Sequence, residues 1–200
     1  ALAMKDIKKL VAYSSISHMG FVLLGIAAFN VEGWQGAIFQ LISHGILSAL
    51  LFLMAGVLYS RTGNRNIDSY SGLAGKMPVF TLISGVAIFA SLGLPGFSGF
   101  IGEFFSLMGA FTSPLLSPMY SILGALGILL GAGYLLWTFQ KVFLGKYYTL
   151  NAQWAMNDLN PTETLSLYSL GITSIVLGIF PNILFSISEN FVLKLLFNIV

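Results

Sequence analysis

Residues 10–29, 34–59, 119–143 and 165–187 form four apolar blocks, and a fifth, 79–111, is longer still. An α-helix rises about 1.5 Å per residue, so a hydrocarbon core about 30 Å thick takes about 20 mostly apolar residues. Each of the four blocks is long enough to cross. Only 8% of the residues are charged, against about 25% in an average soluble domain, which makes the chain an integral, all-α membrane protein. Its small positive charge comes from Lys and Arg clustered between the blocks, so it speaks to topology and gives no support to nucleic-acid binding. The absence of cysteine excludes disulfides, thiolate zinc sites and cysteine-ligated iron–sulfur clusters from this chain.

The fifth block holds Pro95, flanked by Gly93 and Gly96. Proline removes a backbone donor and pushes the preceding Leu94 out of helical geometry, so a helix here breaks near 94–98. The block is therefore one discontinuous span or a hairpin of two short helices, and the loop charges choose between them. With one broken span, Lys5, Lys8, Lys9, Arg61, Arg65, Lys76, Lys141 and Lys146 share a face, which is eight of the nine basic residues. That asymmetry is what the positive-inside rule asks for; a hairpin moves Lys141 and Lys146 to the wrong face. The expectation is five transmembrane helices, the third discontinuous at Pro95-Gly96, with the N-terminus in the cytoplasm or matrix. Residues 188–200 are expected to be an amphipathic tail lying on a neighbour or on the membrane lipids.

Glu103 lies just beyond the break, with no charge between it and Lys76 or Lys141. A lone ionisable group in hydrocarbon costs about 2.5–3.5 kcal/mol on insertion scales, so it turns to a protein or water-lined interior and usually has work there. Discontinuous helices near the midplane are the common sign of ion-coupled transport machinery. Two other blocks carry polar stripes. Ser14 and His18 are four apart in the first, and Gln40, His44 and Ser48 repeat at four in the second, which puts each set on one helix face. Histidine is the side chain that gains and loses a proton most readily near neutrality. Taken singly, either histidine reads equally well as a packing group bonded across helices, worth about 0.6 kcal/mol. Two such stripes beside a buried carboxylate and a broken helix favour a proton path through Glu103, His44 and His18, bridged by water and hydroxyls.

Other features carry less. Lys141 is a candidate end for that path, although snorkelling to the interface also explains it. Gly127 and Gly131, with Gly124 nearby, form a small-residue repeat that predicts close helix packing. Asn157 to Glu163 reads as a turn into the last span, with Pro161 at its first position.

These residues resemble the antiporter-like subunits of respiratory complex I. The matching stretches are Asp6-Ile7-Lys8-Lys9-Leu10-Val11-Ala12-Tyr13-Ser14-Ser15-Ile16-Ser17-His18-Met19-Gly20, Ile42-Ser43-His44-Gly45, and Leu94-Pro95-Gly96-Phe97-Ser98-Gly99-Phe100-Ile101-Gly102-Glu103-Phe104. The likeness runs across nearly the whole chain. It implies a fourteen-span fold of two inverted five-helix repeats, of which this chain matches the last five spans. His18 and His44 then belong to the central hydrophilic axis, and Glu103 is the distal ionisable residue of the second half-channel. Sister subunits carry lysine at that place, so a carboxylate points to the branch called subunit 4, or subunit M in bacteria.

On this resemblance the chain is a C-terminal fragment of a proton-translocating membrane-arm subunit of NADH:quinone oxidoreductase. No cofactor or metal is expected in this chain; flavin and iron–sulfur clusters are expected in other subunits. The implied partners are the other membrane-arm subunits, including a chain that supplies the missing upstream helices. A subunit of a multisubunit sodium/proton antiporter or of a membrane-bound hydrogenase is the alternative. The implied location is the mitochondrial inner membrane, with the bacterial plasma membrane as the alternative.

Overall fold

The computed structural model describes residues 1–199. Among them the chain forms helices α1 (Ile7–Ala27), α2 (Val31–Thr62), α3 (Pro78–Ser91), α4 (Ser98–Thr112), α5 (Met119–Phe143), α6 (Pro161–Ile179) and α7 (Asn182–Ile199), with short strands β1 (Tyr70–Ser71) and β2 (Tyr148–Thr149). Side chains that bond free amides start three of the helices. Asp6 accepts from the amides of Lys8 and Lys9 at α1, and Asn30 accepts from Gly33 at α2. Asn160 and Glu163 form a reciprocal capping box at α6, behind Pro161. Helix α3 has no such cap of its own, since Met77 makes no side-chain bond there. The Asp158 carboxylate supplies one from the distant α5–α6 loop, accepting from the amides of Val79 and Phe80 at 2.9 Å each.

Helices α3 and α4 hold 14 and 15 residues, roughly 21 and 22 Å at 1.5 Å per residue, so neither crosses a bilayer alone. Their ends show that together they make one crossing. On one face the N-terminal segment, the α2–α3 loop and the α5–α6 loop are stitched together. Ile7 N donates to Arg65 O at 3.0 Å and Ile67 N to Lys5 O at 2.8 Å. Strands β1 and β2 pair antiparallel, Tyr70 with Thr149 and Ser71 with Tyr148. On the other face the α1–α2 turn meets the end of α4. There the Ser113 hydroxyl donates to Ala28 O at 2.7 Å, and Asn30 Nδ2 donates to Gly109 O at 2.8 Å. The third span is thus discontinuous, and the three basic loop segments share one face. The fully buried core lies toward that face, where Ile7, Leu10, Leu50, Leu58, Phe80 and Phe143 pack together.

Two expectations are corrected. The last span ends at Ile179, not at 187, because Pro181 interrupts the ladder and a separate helix starts at Asn182. The tail therefore starts earlier than 188, and its residue 200 lies outside the described residues. Its Phe185 ring packs on Phe39 of α2 and Phe105 of α4, at centroid separations of 5.4 and 4.8 Å, while Ile187 is exposed. Nor do Gly127 and Gly131 mediate close helix contact. A Cβ on Gly131 meets nothing within 4 Å, and one on Gly127 meets only Phe21, at 4.0 Å. Of that group only Gly124 is tightly packed, against Leu107 of α4, and close backbone approaches occur where Gly25 faces Gly33, Gly36 faces Phe105 and Gly102 faces Gln40.

Candidate functional site

The break positions the site. Helix α3 stops at Ser91, and Gly93 and Gly96 take left-handed backbone, with φ of 70° and 98°, a conformation glycine adopts without strain. Local turn bonds take up some of the freed amides: Gly93 N donates to Ala90 O and Leu94 N to Phe89 O, both at 3.3 Å. The turn's outer residues, Leu94, Pro95 and Gly96, are exposed. The chain re-enters the bundle at Ser98 and Gly99, both buried, and α4 then carries Glu103 inward to 4% exposure.

Glu103 Oε1 lies 3.0 Å from His18 Nδ1 of α1, with the two side chains only 5% and 12% exposed. His44 of α2 stands behind His18, ring centroids 5.3 Å apart and planes tilted by 38°. Two small cavities flank His18. One is lined by Ser14, His18, Gln40, His44 and Ser48, the other by Ser17, His18, Glu103 and Tyr134, with Gly127 and Gly131 forming part of its wall. Each leaves about 10 Å³ for the centre of a water molecule, about what one water needs. Gln40 Oε1 is buried with no hydrogen-bond partner. An orphaned acceptor is costly to bury, and the residue that carries it lines a water-sized cavity.

The structure therefore gathers Glu103, His18, His44, Ser14, Gln40 and Ser48 in one region. The hydroxyls of Ser14 and Ser48 donate to their own helices, at Val11 O and Gly45 O. Lys141 is elsewhere. It pairs with Asp68 on the loop face, beside Lys5 at 3.4 Å from the same carboxylate, and lies 4.7 Å from the centroid of the Trp137 ring. The Lys141 ammonium, bonded to the Asp68 carboxyl, holds that acid below its usual range. Among the described residues no three or more His, Asp or Glu side chains come together as a metal-holding group.

Sequence reasoning missed three contributors. Tyr134 of α5, 6% exposed, closes the Glu103 cavity. Gly93 touches the Glu103 carboxylate. The third is a chain of three fully buried hydroxyls, in which Ser43 donates to Ser98 at 2.8 Å and Ser98 shares a 2.9 Å bond with Ser174, joining α2, the start of α4 and α6. Ser43 precedes His44 and Ser98 opens the helix after the break, and those two placements were the available signal.

Residues 1–131 match the family described as NADH:quinone oxidoreductase/Mrp antiporter, TM. The chain belongs to that family. Among curated members, "NADH-quinone oxidoreductase subunit M" of Rickettsia felis is 44% identical over 182 residues, which are 91% of this chain and 36% of the relative. "NADH-ubiquinone oxidoreductase chain 4" of Marchantia polymorpha is 39% identical over 178 residues, 89% of this chain and 35% of the relative. A chain in the structure of respiratory complex I from Thermus thermophilus with bound NADH superposes with a TM-score of 0.86 at 36% identity, covering 98% of this chain and 41% of that one. The chain thus spans well under half the length of these family members. With them it shares the antiporter-like helical fold, and like them it is a multi-pass membrane protein.

Proposed function

We propose that this chain is part of a membrane-arm subunit of an NADH:quinone oxidoreductase and carries the second half-channel of that subunit's proton path. Glu103 takes up a proton and shares it with His18 across their direct contact. From His18 the proton passes to His44 through one water in the cavity that both rings line, since among the described residues the hydrogen bond of His18 goes to Glu103 and not to His44. Gln40 Oε1, otherwise unpartnered, accepts from that water and holds it in place. The redox reaction belongs to flavin and iron–sulfur clusters in other subunits, and this chain responds to it through the charge on Glu103. Its partners are the helices that complete the subunit, the neighbouring membrane-arm subunits and the lipids of a mitochondrial inner or bacterial plasma membrane.

The observation that carries this reading is the 3.0 Å contact between a buried carboxylate and a largely shielded imidazole beside a broken helix. The test is E103Q, which keeps shape and removes titration. Coupled proton translocation by the assembled complex should fall by about 100-fold or more, the low end of what a positioned acid–base group contributes. Unchanged translocation with normal assembly defeats the reading.

The family's description also names Mrp antiporters, and on that observation the same path would serve a cation/proton exchanger. The subunits that purify with the chain decide between the two: NADH- and quinone-binding arms belong to the first reading, their absence to the second.

A further inference from the structure

Glu103 meets the break that precedes its own helix. While Oε1 faces His18, Oε2 lies against Gly93. A Cβ built on Gly93 stands 2.5 Å from Oε2 and 3.5 Å from the carboxyl carbon, closer than unbonded atoms can stay. Glycine serves there twice, once for left-handed backbone at φ 70° and once because any Cβ would have to push the carboxylate aside. Gly96 meets only the first requirement. Its φ is 98°, and a Cβ built on it has nothing within 4 Å. The two glycines of one turn separate backbone freedom from contact with the acid.

We infer that Gly93 is a positioning residue for Glu103. Its bare Cα is the seat on which Oε2 rests, and that seat fixes which oxygen the carboxylate presents to His18. The inference rests on the proton-path reading of Glu103 and adds the device that aims it. The titratable groups facing the carboxylate are His18 from α1, with His44 from α2 behind it, and Tyr134 from α5; the remaining lining of that cavity is uncharged. Among the described residues no Lys or Arg lines that cavity, so contact with Gly93 and His18 sets the position of the acid. The seat also reads the length of the acid, because an aspartate, shorter by one methylene, draws back from Gly93.

The test compares G93A, G96A, E103D and G93A/E103D in the full-length subunit, assembled in its native membrane. The readouts are coupled proton translocation and the infrared carboxyl band of residue 103, assigned by its loss in E103Q. G93A should shift the band and lower translocation by up to about 100-fold, the scale of loss that a misplacement of about 1 Å brings to a reacting group. G96A should move the band less. Translocation by G93A/E103D should recover to near that of E103D alone, because the methyl group no longer meets the carboxylate. A double variant as impaired as G93A, or a G96A band displaced as far as that of G93A, overturns the inference in favour of backbone strain alone. If G93A fails to accumulate, accumulation becomes the readout: recovery with E103D supports the seat, and no recovery overturns it. Should E103Q leave translocation intact, the proton-path reading fails, while the band positions still decide whether Gly93 seats the acid.

Discussion

Arg61, in the last turn of α2, grips both oxygens of Glu163, in the first turn of α6, through Nη1 at 2.7 Å and Nη2 at 2.6 Å. The same guanidinium donates to the carbonyls of Asn157 and Asp158, so one side chain binds the end of α2 to the segment that enters α6. The two side chains are 13% and 21% exposed, shielded enough for the pair to matter. Lysine keeps the charge but lacks the planar fork. Charge-assisted bonds contribute about 1.5–3 kcal/mol each. R61A should therefore lower the thermal midpoint of the purified protein markedly, and R61K should recover only part of the loss. Equal midpoints for wild type and R61K would show that the fork geometry contributes nothing.

Asp158 gives a second handle on the same loop. It caps α3, whose own sequence places Met77 and Pro78 at the start, by accepting from Val79 and Phe80. Loss of a helix cap costs about 0.5–2 kcal/mol. D158A should raise hydrogen exchange at the first amides of α3 well before it affects α6, with D158N intermediate because one acceptor oxygen remains. Exchange that rises equally in both helices would mean that Asp158 stabilises the loop rather than the cap.

Lys141 acts on Asp68, which sets a pH dependence of known sign. The hydrogen bond and charge of Lys141, with Lys5 beyond, depress the Asp68 carboxyl. A depressed acid contributes stability that is complete above its unfolded pKa, about 3.9, and is lost as pH falls through the lower folded value. No change tied to this pair is expected near neutrality. K141Q should move the Asp68 titration, followed by carboxyl carbon shifts, upward toward the ordinary range, and added salt should do the same in part. An Asp68 titration indifferent to K141Q would remove Lys141 as the cause.

What could be read in advance was whatever one segment determines by itself. Pro95 and its flanking glycines break a helix by local chemistry, and the helices do stop at Ser91 and restart at Ser98. Periodicity put His18 on one face of α1 and His44 on one face of α2. It could not say that α4 would rotate to lay Glu103 on His18 rather than on His44, because relative rotation is set by side chains meeting across helices. The contact of Gly93 with Glu103 was hidden for the same reason, since both are ordinary members of their own segments. Hydropathy also misjudged the end of α6: residues 180–187 are apolar enough to extend a span, and only the backbone consequence of Pro181 divides them from it. Lys141 was legible as a residue at a helix end, but its partner Asp68 lies in a loop far away in sequence.

Ser98 is where the remaining hidden chemistry can be measured. Its hydroxyl, the first side chain of α4, bonds to Ser43 and Ser174 at 2.8 and 2.9 Å, and all three groups are wholly buried. Cross-helix hydrogen bonds in membranes contribute about 0.6 kcal/mol on average, so S98A, which deletes both, should destabilise the protein by roughly 1 kcal/mol. S43A and S174A each delete one bond. If Ser98 is the hub, the S43A/S174A double variant should cost about as much as S98A, and adding S98A to that double variant should cost little more, because no hydroxyl partner remains to lose. Thermal midpoints of the purified protein across these variants test this directly. A triple variant whose loss equals the sum of three independent losses would show that the serines bond separately to their own helices, leaving the start of α4 held by packing such as that of Gly99 against Ala90 and of Gly178 against Phe97.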